Sequence, residues 1–135
     1  MKTIIAIIEK SDEGGYGIYA KDERIPLTSF GLTEEEAKQE FESLINEQAA
    51  YYKEKTGVYP EWYSKHINVE YRYDMSAFFL SFPFINATEL AKSIGINPSL
   101  MRKYKSGLAA ASDKQKNMIQ QKFDEIVGKL STVRF

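Results

Sequence analysis

The chain has no cysteine. That excludes a disulfide framework and a thiolate metal site, and it suits a reducing cytoplasm. There is one histidine, His66. Long apolar runs are missing. The longest, "AFFLSF" from Ala77 to Phe82, falls far short of the ~20 residues a membrane-spanning helix needs. At the N-terminus, "MKTIIAIIEK" has a short apolar stretch that meets charge again at Glu9, with no small-residue cleavage site after it. No signal peptide is expected there. No internal repeat and no low-complexity segment occurs.

What remains is 135 residues, 43% apolar and 27% charged, the profile of a globular protein of one domain or two small ones. Net charge is −1, but it is unevenly placed. Residues 1–73 carry 9 Lys/Arg and 14 Asp/Glu, a net of −5; residues 74–135 carry 9 and 5, a net of +4. Two units with different partners are implied, and the basic one suits a polyanion.

The acidic half, residues 1–73, opens with "KTIIAIIEK", an Ile-rich strand buried on both faces. "SDEGG" is a turn and "YGIYAK" a second strand, so the two form a hairpin. "IPLTSFG" reads as a short third strand, with Pro26 at its start or on an edge. Thr33 then caps a long helix, with Glu36 completing a capping box and Glu34 to Glu36 facing the positive end of the dipole. Ala37, Phe41, Leu44, Ile45 and Tyr52 recur at helical spacing as its buried face, and Gly57 ends it. "HINVEYRY" alternates strictly, with Ile67, Val69, Tyr71 and Tyr73 inward. The predicted order is β-β-β-α-β, one helix on a small, mainly antiparallel sheet.

No catalytic constellation is legible here. His66 falls on the polar face of a strand with no nucleophile beside it. Asp12/Glu13 and Asp22/Glu23 sit in turns, whereas metal-dependent hydrolysis needs carboxylates converging from separate elements. "GGYG" closes a hairpin and opens no helix, so it is not a phosphate loop. An enzyme is not expected, nor is a metal or cofactor.

The basic half, residues 74–135, is predicted to be all α. Asp74 caps a short helix bearing Phe78, Phe79 and Phe82, and Pro83 stops it. Asn86 or Thr88 caps the next helix, whose stripe is Leu90, Ala91 and Ile94; Gly95 ends it. Asn97 and Pro98 then start a second short helix that Gly107 closes. This is a helix-turn-helix, with small Ala91 at the crossing and Ile94, Ile96, Met101 and Tyr104 as its core. The core does not explain Asn97, Ser99, Arg102, Lys103 and Lys105. Asn and Arg suit bidentate contacts to bases and Lys reaches phosphates, so these five are the candidate DNA-binding residues. Ser112 and Gln115 cap a last helix, with Ile119, Phe123, Ile126, Val127 and Leu130 as its apolar stripe. Gly128 weakens its end, and "STVRF" is long enough for a strand.

Two sets of residues carry a family resemblance. One is "GLTEEEAKQEF" at the head of the helix in the β-β-β-α-β unit; the other is "DMSAFF" followed by "INATELAKSIGINPSLMRKYKSGL". Together the chain resembles HicB-family antitoxins with a C-terminal Xre-type helix-turn-helix. The resemblance implies an α+β protein: a partial RNase H-like domain without nuclease activity over residues 1–73, then a helix-turn-helix domain over residues 74–135. It also implies that the first domain blocks a HicA-type mRNA-cleaving toxin. The second, as a homodimer or higher homo-oligomer, would bind operator DNA and repress its own operon. One stretch departs from the family: "KDERIPLTSFG" has the Pro but no following Gly. Two alternatives follow, a solitary regulator of the same fold and a protein-binding module whose helix pair is structural. A degenerate nuclease of RNase H type is the enzymatic reading, and it needs strand-borne metal ligands.

Overall fold

A computed structural model describes all residues, 1–135, as a mixed α+β protein with four strands and five helices. Two compact units divide it, Met1–Ser81 and Phe82–Phe135.

In the first unit, β1 (Lys2–Lys10), β2 (Tyr16–Ala20), β3 (Thr28–Gly31) and β4 (Ile67–Tyr73) form one sheet in the order β3-β2-β1-β4. The two hairpin pairings are antiparallel, as expected. β4 instead runs parallel to β1, with Ile4 opposite Val69 and Ala6 opposite Tyr71. A parallel return needs a long crossover, and α1 (Glu34–Thr56) supplies it. Central β1 buries Ile4, Ala6, Ile7 and Ile8, so both of its faces are covered.

Helix α1 starts as its sequence requires. The Thr33 hydroxyl accepts the Glu36 N–H at 3.1 Å. Its first turn lies so close to β3 that a Cβ on Gly31 would run into the backbone of Glu36 and Ala37. Ser29 secures the approach by donating to the Ala37 carbonyl at 2.8 Å. The buried face is Ala37, Phe41, Ile45 and Ala49. Contrary to the spacing argument, Leu44 is only half-buried, packed against the rim of the core, and Tyr52, beyond the last buried residue Ala49, is exposed.

The short helix α2 (Met75–Ser81) belongs to this unit, so the boundary lies after Ser81 and not after residue 73. The cause is a chain of polar contacts that sequence spacing does not reveal. Asp74 accepts the Met75 N–H at 2.9 Å and the Ser76 hydroxyl at 2.7 Å. Ser76 is buried and accepts the Lys10 N–H at the end of β1. Ser81 pairs with the Tyr16 hydroxyl at 2.9 Å, and Ala77 joins the sheet core. With the boundary there, residues 1–81 hold 9 Lys/Arg against 15 Asp/Glu and residues 82–135 hold 9 against 4. The charge contrast becomes −6 against +5.

The second unit contains α3 (Ala87–Ile94), α4 (Pro98–Ser106) and α5 (Asp113–Leu130). Its buried residues are Ala87, Ala91, Ile94, Ile96, Met101, Tyr104, Ala111 and Ile119. The stripe expected on α5 is only partly covered. Ile119 is buried and Phe123 and Ile126 are half-buried, but Val127 is 47% exposed and Leu130 65%. Gly128 does not interrupt the helix, and "STVRF" forms no strand. Phe82, expected as part of the helix's apolar payload, lies one residue beyond α2 and is 36% exposed.

Candidate nucleic-acid interface

Helix α3 is capped by Asn86, whose side chain accepts the Glu89 N–H at 3.0 Å. It ends at Gly95, which takes φ 79°. A side chain there is strained in any environment, so this turn requires glycine. The Ile96 N–H closes the end by donating to the Ala91 carbonyl at 2.9 Å. Asn97 then caps α4 and Pro98 occupies its first turn. Fully buried Ala91 lets the two helices pack, and Ile94, Ile96, Met101 and Tyr104 fill the space between and beneath them.

Burial of Met101 and Tyr104 fixes the opposite face of α4. At i, i+3, i+4 and i+7, that face presents Ser99, Arg102, Lys103 and Ser106, all exposed. Sequence reasoning singled out the first three and passed over Ser106, although the periodicity contains it.

Arg102 is held in place. Its guanidinium donates to the Thr88 hydroxyl on α3 at 3.1 Å and to the Ser99 hydroxyl at 3.1 Å. A guanidinium carries five N–H donors, so others stay available to a partner. Thr88 is thereby a second residue that sequence reasoning missed, since a contact across a turn leaves no periodic signal. No carboxylate pairs with Arg102 or Lys103; ion pairs in this unit include Lys92–Glu89 at 3.6 Å and Lys122–Glu125 at 3.8 Å.

The remaining two candidates differ in kind. Asn97 is exposed, but its Oδ1 accepts the Ser99 and Leu100 N–H groups at 2.8 and 3.4 Å. A bidentate contact to adenine needs Oδ1 and Nδ2 together, so here Asn97 serves the cap and offers only Nδ2. Lys105 is exposed, yet it follows Met101 at i+4 and flanks the Ser99–Ser106 face.

Perturbed titrations all fall in the first unit. Burial, then the charges of Asp74 and Asp12, raises the Glu9 carboxyl above its ordinary range. Burial and Glu42 raise the Tyr71 hydroxyl; burial and Glu34 raise that of Tyr73. Glu9 stands on a strand, but both oxygens of its neighbour Asp74 are engaged in capping α2. No third carboxylate joins them in a metal-sized cluster. His66 is exposed immediately before β4.

No protein-family model, no curated protein and no solved structure matches this chain.

Proposed function

We propose that the chain is a DNA-binding antitoxin and autorepressor of the HicB type. In this reading α3, the Gly95 turn and α4 are a helix-turn-helix, and the first unit is a partial RNase H-like domain that holds a HicA-type mRNA-cleaving toxin in the cytoplasm. One observation carries the reading: a basic face on α4 with no carboxylate against Arg102 or Lys103, in a unit of charge +5. Helix α4 enters the major groove with its N-terminal turn leading. Arg102, steadied by Thr88 and Ser99, reads a base edge, while Lys103 and Lys105 meet phosphates. One such helix reads few bases, so the protein acts as a dimer on half-sites about one or more helical turns apart.

The test is binding of the purified protein to the DNA upstream of its own reading frame, across salt concentrations. Binding weakens steeply with salt. Arg102→Ala relaxes preference at one base position by ~1–3 kcal/mol, and Lys103→Ala lowers the salt slope by about 1 at every sequence. Absence of any shift at low salt with excess protein would sink the repressor reading.

A second reading, a protein-binding module with a structural helix pair, is favoured by two facts: Asn97 is committed to its cap and Arg102 to Thr88 and Ser99. Unchanged operon control after replacing Arg102, Lys103 and Lys105 together by Ala would select it.

A further inference from the structure

The two edges of the sheet are built differently. Edge strand β3 has four residues, follows Pro26 closely, and has its Phe30 N–H taken by the Glu40 carboxylate at 3.0 Å. These are ordinary ways of blunting an edge. Edge strand β4 has seven residues, "INVEYRY", with no Pro, no Lys and no bulge in its register with β1. No strand lies beyond it.

The direction of its backbone groups follows from the ladder. Lys2 N–H donates to the His66 carbonyl at 3.2 Å, and Asp74 N–H donates to the Ile8 carbonyl at 2.8 Å. Even-numbered residues of β4 therefore turn their polar backbone groups toward β1. Those of Ile67, Val69, Tyr71 and Tyr73 point outward along the edge.

We infer that two copies of the chain join through β4, antiparallel about a two-fold axis at Tyr71, into one continuous eight-stranded sheet. The side chains complement a second copy of the strand and favour this register over its two nearest neighbours. With Tyr71 opposite Tyr71 of the second copy, Glu70 faces Arg72 and Arg72 faces Glu70, while Val69 faces Tyr73. Glu70 and Arg72 already pair within one chain, at 2.6 Å, both about half-exposed on the side away from α1. The axis lets each also serve the other copy. A shift of the axis by one residue toward Glu70 or Arg72 sets Glu70 against Glu70 or Arg72 against Arg72, and like charges directly opposite are destabilising. The outward amides make Tyr71–Tyr71 and Val69–Tyr73 hydrogen-bonded pairs. Glu70–Arg72 becomes a non-hydrogen-bonded pair, the closer of the two kinds. The association is self-complementary, as a two-fold interface must be, and it owes nothing to the DNA reading.

The lack of native cysteine makes the test direct. Full-length Glu70→Cys and Arg72→Cys proteins are made separately, mixed in equal amounts in a glutathione buffer, and the disulfide-linked peptides counted. The Cβ atoms of a directly opposed pair lie about 4.5–5.5 Å apart, near disulfide reach. The mixed 70–72 disulfide is expected to exceed the proportion that random coupling gives. A random proportion, no covalent dimer, or a dominant 70–70 product would each overturn the inference. Val69→Pro removes one outward N–H and leaves the ladder to β1 intact. It is expected to halve the mass of the assembly in sedimentation with an unchanged circular dichroism spectrum. An unchanged mass with that spectrum preserved would also overturn the inference. A DNA-binding failure alone, with the 70–72 disulfide formed, would count against the repressor reading only.

Discussion

Helices α1 and α5 are the long helices of the two units, at 23 and 18 residues, and each bears apolar residues at helical spacing. Yet α1 buries Ala37, Phe41, Ile45 and Ala49, whereas α5 buries Ile119 alone. The stripe on α5 has more large apolar side chains, and it is the less covered. Burial depends on the surface offered as much as on the face presented. Beneath α1 lies a sheet reaching from β3 across β1, and small alanines let the helix sit close to it. Within its unit, helix α5 packs on short α3, and Val127 and Leu130 stay exposed.

The sharpest way to break this comparison is to truncate one large side chain on each helix. Phe41 is fully buried and meets Tyr71 edge-on, with ring centroids 6.4 Å apart. Phe41→Ala is expected to cost ~3–5 kcal/mol, and Leu130→Ala to stay within ~0.5 kcal/mol. Urea unfolding of the two variants measures the difference. Equal losses would mean that α5 is as covered as α1. Next in size is Met101→Ala, at ~2–5 kcal/mol, since Met101 is fully buried between α3 and α4. The loss should appear in the transition of the second unit, followed through α-helical signal, while Trp62 fluorescence reports the first.

Much of this architecture is legible in the residues. The caps Thr33, Asn86, Asn97 and Ser112 all accept the N–H groups expected of them. Of the core that the spacing names for the α3–α4 pair, Ala91, Ile94, Ile96, Met101 and Tyr104 are buried, while Leu90 is only half-buried and buried Ala87 goes unnamed. Such features are local: a cap or a stripe is decided within one turn of chain. What escaped is non-local. The parallel pairing of β4 with β1 joins residues over sixty positions apart. Ser76 bonded to Lys10 is what moves α2 into the first unit. The same division runs through the candidate site. Ser99, Arg102 and Lys103 follow from helix periodicity, but the Thr88 tether and the cap duty of Asn97 required the fold.

A smaller effect separates that cap from base reading. Asn97→Ala removes the acceptor for the Ser99 and Leu100 N–H groups and should cost ~1 kcal/mol in the second unit. Asn97→Asp keeps the acceptor and should restore stability. It also adds negative charge at the α4 N-terminus, so under the proposed repressor function DNA affinity should fall while folding does not. A fully stable Asn97→Ala protein would return Asn97 to the candidate base contacts.

The smallest expected effect again contrasts the units, through pH. Burial, with Asp74 and Asp12 nearby, raises the Glu9 carboxyl in the folded first unit. A folded state that holds its proton more tightly than the unfolded chain binds more protons between the two pKa values, so stability falls as pH rises through that window. Above the window the unfavourable charge is fully present; below it, Glu9 is protonated in both states and the effect disappears. Glu9→Gln should therefore unfold at higher temperature than the parent near neutral pH, with the gap closing toward acid. The second unit's transition should not respond, since Glu9 belongs to β1 in the first. A gap that is constant with pH would show that the substitution acts through packing, and that the Glu9 charge carries no cost in the fold.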